Sequence, residues 1–171
     1  QDITQVLAML ADDRAALLLA QPFVGHLALH LDIVVGSFDQ AMAVDGRSLF
    51  FDAARGLALS QLERRFLLAH GVWHCALLHP FRQDGRDQEC WDRAADAEVN
   101  GILARDWPIP ESVPAPPAEG LSVDQSYASL DLDALEPRGP LADAHWPPRA
   151  GQVLQNQWID RIRLAMQGAL Q

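Results

Sequence analysis

The sequence predicts a mostly helical α+β domain with a small sheet, and three observations lead to that prediction. Hydrophobic residues recur at intervals of three and four over most of the chain, as on the buried face of a helix. Residues 42–51 instead form two alternating runs around Asp45-Gly46, which is typical of a β-hairpin. The 171 residues are 49% hydrophobic, enough to form a core, so we expect one domain over residues 1–171.

Two helices are expected before the hairpin. The first is predicted over Ile3–Ala20 and ends at Pro22, because proline cannot continue a helix. The second is predicted from Phe23 to about Val35. It carries His26 and His30 one turn apart, and we interpret these as partly buried helix residues rather than as a metal-binding pair.

A helix-start signal follows the hairpin. Ser60 and Glu63 have the spacing of a capping box, in which each side chain accepts a hydrogen bond from a backbone amide of the first turn. The helix is expected to run to about His79, since Pro80 follows. Its hydrophobic periodicity includes His70, which places the histidines of this helix on or beside the buried face.

The remaining chain is expected to alternate helices with loops. Helices are predicted at about Gln88–Ala104, near Val123–Leu130 and at about Val153–Leu170. Proline-containing loops are predicted between them, at about residues 107–120 and 136–148.

Composition excludes several classes of function. The formal charge is −10, so the surface does not attract phosphate backbones and we expect no nucleic-acid partner. The chain has no lysine, which excludes a P-loop, and no apolar run reaches the roughly 18 residues of a membrane span. Two cysteines, Cys75 and Cys90, do not form a disulfide framework, which favours a cytoplasmic location. We expect Asp12-Asp13 to be solvated.

His70 and His74 are the candidate metal ligands. They lie four residues apart on a predicted helix, so both project from one face and can bind one ion. Isolated pairs with this spacing arise often by chance, but this one lies on a well-capped helix between a hairpin and an acidic helix. Zinc needs further ligands, and the acidic helix offers Asp92, Asp96 and Glu98.

The stretches 69–82, 85–87 and 91–100 resemble the bacterial putative metallopeptidase domain that commonly precedes a von Willebrand factor A-like domain. The pattern of that zincin-type family is HExxHxxxxHxxR, a GRD-like turn and WNxAxDxxIN, and the similarity covers nearly the whole chain. The resemblance implies a Zn²⁺ site formed by His70 and His74, with Asp96 as the third ligand. It also matches His79, Arg82, Trp91 and Asn100 without assigning them a role.

Two other third ligands remain open. His79 would be able to bind the ion only if the helix breaks before Pro80, and Glu98 is an outside candidate. We expect Asp92 to be solvated or to bind a ligating histidine. Cys75 is expected to point away from the histidine face and to pack as a small apolar group.

The chain departs from the family pattern at Gly71, the position of the glutamate that transfers protons in HExxH enzymes. We therefore expect a zinc-binding, peptidase-like domain that is inactive or impaired as written. Two alternatives are a partner-binding module that works with an AAA+ ATPase and a von Willebrand factor A-like system, and an inactivated form of a genuine zinc peptidase. In the intact fold, the strand Arg47–Phe51 is expected to lie along the cleft, where zincins bind an extended peptide by strand addition.

Overall fold

The computed structural model describes residues 2–113, 120–130, 133, 141, 143–145 and 151–169, which form seven α-helices and four β-strands. The helices are α1 (Asp2–Ala20), α2 (Pro22–Ala28), α3 (Ala53–Ala58), α4 (Gln61–Ala76), α5 (Gln88–Leu103), α6 (Val123–Ser129) and α7 (Gly151–Ala169). The strands are β1 (Asp32–Gly36), β2 (Met42–Val44), β3 (Ser48–Asp52) and β4 (Asp143–His145). The expectation of a mostly helical α+β fold with a small sheet is confirmed.

The second helix is shorter than the sequence predicts. It ends at Ala28, and Asp32–Gly36 forms β1 instead of continuing the helix to Val35. β1 contains the β-branched run Ile33-Val-Val, and it pairs in parallel with β3, with Val34 opposite Phe50. His26 and His30, which we expected to be partly buried, are both exposed.

The four strands have the order β1-β3-β2-β4. β3 pairs with β1 on one side and antiparallel with β2 on the other, so its backbone groups are already used. The expectation that Arg47–Phe51 binds a peptide by strand addition is therefore wrong. The outer side of β2 pairs in parallel with β4, which also contacts α5.

The loop predicted at about residues 136–148 contains β4, and that part of the prediction is wrong. Met42 lies opposite Asp143 in the β2–β4 pair, a contact that no local sequence pattern signals. Residues 136–140, 142 and 146–148 of this loop, like residues 114–119 of the loop predicted at 107–120, lie outside the described part of the chain.

The predicted hairpin is present, and its turn is held from two directions. Gly46 has φ +88°, and a Cβ there would lie 2.7 Å from the ring of Phe81, so both the conformation and the space require glycine. Asp45 Oδ1 accepts hydrogen bonds from the amides that follow the turn, including that of Ser48 at 2.8 Å. Trp158 of α7 donates a 2.6 Å hydrogen bond from Nε1 to the carbonyl of Gly46. The C-terminal helix thus fixes the hairpin turn.

The start of α4 is as expected, and its end is not. Ser60 and Glu63 form a complete capping box. The helix ends at Ala76 rather than at about His79, because Leu78 has φ +62°, a left-handed conformation that costs a leucine about 1–2 kcal/mol. Residues 79–81 form a 3₁₀ turn. Pro80 has no amide hydrogen to donate to the carbonyl of Ala76, so it could not continue α4.

α4 lies at the centre of the fold, in contact with α1, α2, α5, α7 and β2. Asp13 of α1, which we expected to be solvated, is 1% exposed. It forms ion pairs with Arg64 at 2.9 Å and Arg65 at 3.0 Å, so it joins α1 to the first turn of α4. None of the described helices is long and apolar enough to cross a membrane.

Candidate metal centre

Three side chains from two neighbouring helices converge on one point. His70 and His74 project from α4, and Asp96 projects from α5. The two Nε2 atoms lie 2.8 Å apart, and Asp96 Oδ1 lies 3.0 Å from the first and 3.1 Å from the second. His74 is fully buried and His70 nearly so, whereas the Asp96 side chain is 19% exposed. Solvent therefore reaches the group at the aspartate.

The ring nitrogens that face away from this group fix the position of each imidazole hydrogen. His70 Nδ1 lies 2.9 Å from Asn100 Oδ1, which can only accept, so neutral His70 carries its hydrogen on Nδ1. His79 Nε2 lies 2.7 Å from Glu98 Oε1, so His79 donates there and its Nδ1 accepts. That Nδ1 lies 2.9 Å from His74 Nδ1, which must therefore donate.

It follows that Nε2 of both His70 and His74 carries a lone pair. These two lone pairs and those of the Asp96 carboxylate point into one space, at separations of 2.8–3.1 Å. Three acceptors this close repel one another unless a cation lies among them. The arrangement therefore suits a metal ion, with a proton as the simplest substitute.

The donor set fits zinc. Two imidazole nitrogens and one carboxylate oxygen are ligands that Zn²⁺ commonly takes, at about 2.0–2.2 Å and in tetrahedral geometry. Donor atoms around such an ion are about 3.3 Å apart, so the three atoms observed here would need to separate by only a few tenths of an ångström. The tautomers of His70 and His74 are already those that metal binding requires.

Two of the alternative third ligands lie outside this group. The helix does break before Pro80, but His79 contacts the Nδ1 edge of His74, on the far side of that ring from Asp96. Glu98 uses its carboxylate to accept hydrogen bonds from His79 and from the amide of Val123 at 3.0 Å. His79 therefore contacts His74 on the ring edge opposite the proposed metal site, and Glu98 contacts His79 in turn.

Glu98 is held in its ionised form. Burial acts to raise the pKa of this carboxyl, but the hydrogen bond from His79 outweighs it, with help from the Val123 amide and the charge of Arg82. The pKa of Glu98 therefore lies below its ordinary value. An ionised carboxylate only accepts hydrogen bonds, which supports the proton assignment in His79.

Asp92 and Cys75 lie outside the proposed metal site and have other partners in the fold. Asp92 is buried and accepts a 2.7 Å hydrogen bond from Gln88 Nε2. Cys75 is fully buried, and burial raises the pKa of its thiol far above the ordinary range. It stays protonated and packs as part of the core, as expected.

Gly71 lies on the side of α4 that meets the sheet. A Cβ at this position would lie 3.0 Å from Leu49 Cδ1 and 3.1 Å from Met42 Cε, and both of those side chains are fully buried. The glycine therefore permits a close approach between α4 and the hairpin. The space next to the backbone of residue 71 is filled by hydrocarbon.

The hydrogen bond from His70 to Asn100 was not assigned from the sequence. Asn100 follows Asp96 by four residues on α5, so the two side chains share a face of that helix. That spacing is the signal that would have placed Asn100 near the histidines.

A family model described as a putative metallopeptidase domain matches residues 8–152 of the chain. The match includes the hairpin and the two helices that carry the candidate ligands. No match was found among curated proteins or among solved structures.

Proposed function

The chain belongs to this family of putative metallopeptidase domains, and on that premise we propose that it binds one zinc ion through His70, His74 and Asp96 but hydrolyses peptides poorly or not at all. The observation that carries the metal proposal is the convergence of two imidazole nitrogens and one carboxylate oxygen at separations of 2.8–3.1 Å.

The residues around the site are suited to holding the ion. His70 and His74 are fixed by their hydrogen bonds to Asn100 and His79, so little side-chain freedom is lost on binding. Asp96 supplies the negative charge that partly offsets the charge of the ion. When bound, zinc would supply a Lewis acid and an activated water.

The proposed loss of hydrolysis rests on Gly71. Efficient peptide hydrolysis at such a site needs a side chain that takes a proton from water and returns it to the leaving amine. Glycine cannot do either, and Leu49 and Met42 occupy the space beside it. Glu98, a carboxylate of the same network, is already engaged by His79 and Val123.

Zinc titration of chelator-treated protein tests the metal proposal. We expect about one equivalent of zinc to bind. The free energy of unfolding should rise by about 2.7 kcal/mol when free zinc is 100 times Kd. Asp96→Asn and His74→Ala should weaken both effects strongly. His26→Ala is the matched control, because it removes an exposed imidazole from α2 and should change neither effect. Binding of less than about a tenth of an equivalent by the unaltered protein would contradict the proposal.

A second measurement addresses catalysis. Zinc-loaded protein should cleave labelled casein no faster than the same protein treated with chelator, because the proton-transfer group is missing. Cleavage that requires zinc and disappears in Asp96→Asn would show that another residue replaces the missing glutamate. That result would leave the metal site intact and would remove the claim of impairment.

A further inference from the structure

We propose that Glu98 and His79 are positioning residues that set the direction of the hydrogen bonds through His74 and so keep His74 Nε2 unprotonated for a metal ion. The inference rests on the proposed function for its metal-binding consequence. Its structural basis is separate, because it concerns the order of donors and acceptors in the chain Glu98–His79–His74.

His79 is held rigidly in its place behind His74. It is fully buried, and its carbonyl accepts a 3.1 Å hydrogen bond from Trp91 Nε1. Its ring packs edge-on against Trp91, with 6.0 Å between the ring centroids. The left-handed backbone of Leu78 turns the chain so that His79 reaches this position. A buried histidine fixed on two sides transmits the choice of tautomer without moving.

Glu98 determines that choice. Its two oxygens face two groups, with Oε1 at 2.7 Å from His79 Nε2 and Oε2 at 3.0 Å from the backbone nitrogen of Val123. The Val123 amide can only donate, so Oε2 must accept. Since Oε1 also accepts, His79 must donate from Nε2, accept at Nδ1 and receive the hydrogen of His74 Nδ1.

Glu98→Gln reverses this order without changing the shape of the side chain. The amide of Val123 can be satisfied only if the glutamine oxygen faces it, which turns the glutamine NH₂ group toward His79 Nε2. His79 must then carry its hydrogen on Nδ1 and donate it to His74. His74 in turn carries its hydrogen on Nε2, the atom proposed to bind metal.

The reversed order of hydrogen bonds leaves no donor unsatisfied in the metal-free protein. The hydrogen on His74 Nε2 would point at Asp96 Oδ1, which lies 3.1 Å away and accepts it. Every donor in the chain keeps an acceptor, so the variant should fold as well as the unaltered protein. A residue that serves only to stabilise the fold would not show this combination of undiminished stability and weakened metal binding.

The experiment compares the unaltered protein with Glu98→Gln at about pH 8, above the ordinary histidine pKa of about 6.5. Nitrogen NMR of labelled histidines reports which nitrogen of His74 carries the hydrogen in metal-free protein. Zinc affinity is measured by competition with a chelating dye. Glu89→Gln is the matched control, since it makes the same chemical change at an exposed position on the same helix.

We expect the hydrogen of His74 to move from Nδ1 to Nε2 in Glu98→Gln, zinc to bind about 10- to 100-fold more weakly, and the thermal midpoint of the metal-free protein not to fall. Glu89→Gln should match the unaltered protein in all three. Zinc binding by the unaltered protein together with equal binding or an unchanged tautomer in Glu98→Gln would overturn this inference alone. If the unaltered protein binds no zinc, the proposed function fails and the tautomer decides the inference: reversal supports it, and no reversal overturns it.

Discussion

Gly71→Glu places a carboxylate where HExxH enzymes have one, and its outcome depends on the packing between α4 and the hairpin. A Cβ at residue 71 would lie 3.0 Å from Leu49 Cδ1 and 3.1 Å from both Cε and Sδ of Met42, whereas ordinary contacts begin near 3.4 Å. Both neighbours are 0% exposed, so they have to move within a closed core. The carboxylate beyond the Cβ then begins in hydrocarbon rather than in water.

The magnitude follows from three opposing effects. Replacing the glycine gains about 1 kcal/mol of helix propensity, and overpacking costs about 1–3 kcal/mol. Gly71→Ala should therefore lie between neutral and about 2 kcal/mol less stable than the unaltered protein. Gly71→Glu also buries a carboxyl group, which costs at least about 1–3 kcal/mol more without a partner. We expect its unfolding free energy to fall by about 1–5 kcal/mol.

Chemical denaturation of the metal-free proteins measures this, and casein cleavage by the zinc-loaded proteins measures activity. Gly101→Glu is the control, because Gly101 lies on α5 and a Cβ there has nothing within 4 Å. It should be as stable as the unaltered protein or slightly more so. A Gly71→Glu protein that is fully stable and cleaves casein would refute the packing argument. It would show that the chain is a zinc peptidase in which only the base is missing.

Two further predictions concern stability. Asp13→Ala should lower the unfolding free energy by about 3–5 kcal/mol, because it leaves the buried guanidinium of Arg64 without its ion pair, and urea unfolding measures the loss. The pKa of Glu63 lies below its ordinary value of 4.5, chiefly because its carboxylate accepts a hydrogen bond from the amide of Ser60. The stability it adds is present above that value and is lost as pH falls through the lower folded pKa. Glu63→Gln should flatten the pH dependence of unfolding below about pH 4.5, and an unchanged profile would contradict the assignment.

Local signals in the sequence were sufficient for the helices, the hairpin and the capping box, because each depends on residues within a few positions of one another. The sequence favours a helix over β1, because Val34 continues the spacing of Leu27 and Leu31. The strand forms instead because these residues pair with β3, which no local pattern indicates. β4 and the burial of Asp13 depend on partners about 100 and 51 residues away, which local patterns do not reveal.

The candidate site divides in the same way. The His70–His74 pair follows from helical spacing, and Asp96 follows from the family resemblance. The role of His79 could not be derived, because it depends on a left-handed leucine at residue 78, a conformation that leucine rarely adopts. The sequence marks its partner Glu98 only as a possible ligand, since no local pattern indicates that the Glu98 carboxylate faces a histidine.

The hydrogen bond from Trp158 to Gly46 joins residues 112 positions apart, and it determines how the domain can be divided. The family motifs occupy residues 69–100, yet the hairpin that packs on them is fastened by a helix near the end of the described chain. A fragment limited to the motifs would therefore contain every ligand of the proposed site but would lack the hairpin that packs beside it and the helix that holds the hairpin. Proteolytic nicking ahead of α7 should loosen the hairpin first, as faster amide exchange in β2 and β3 would reveal. A part of the domain that is to be expressed alone must therefore include Trp158 as well as the motif residues.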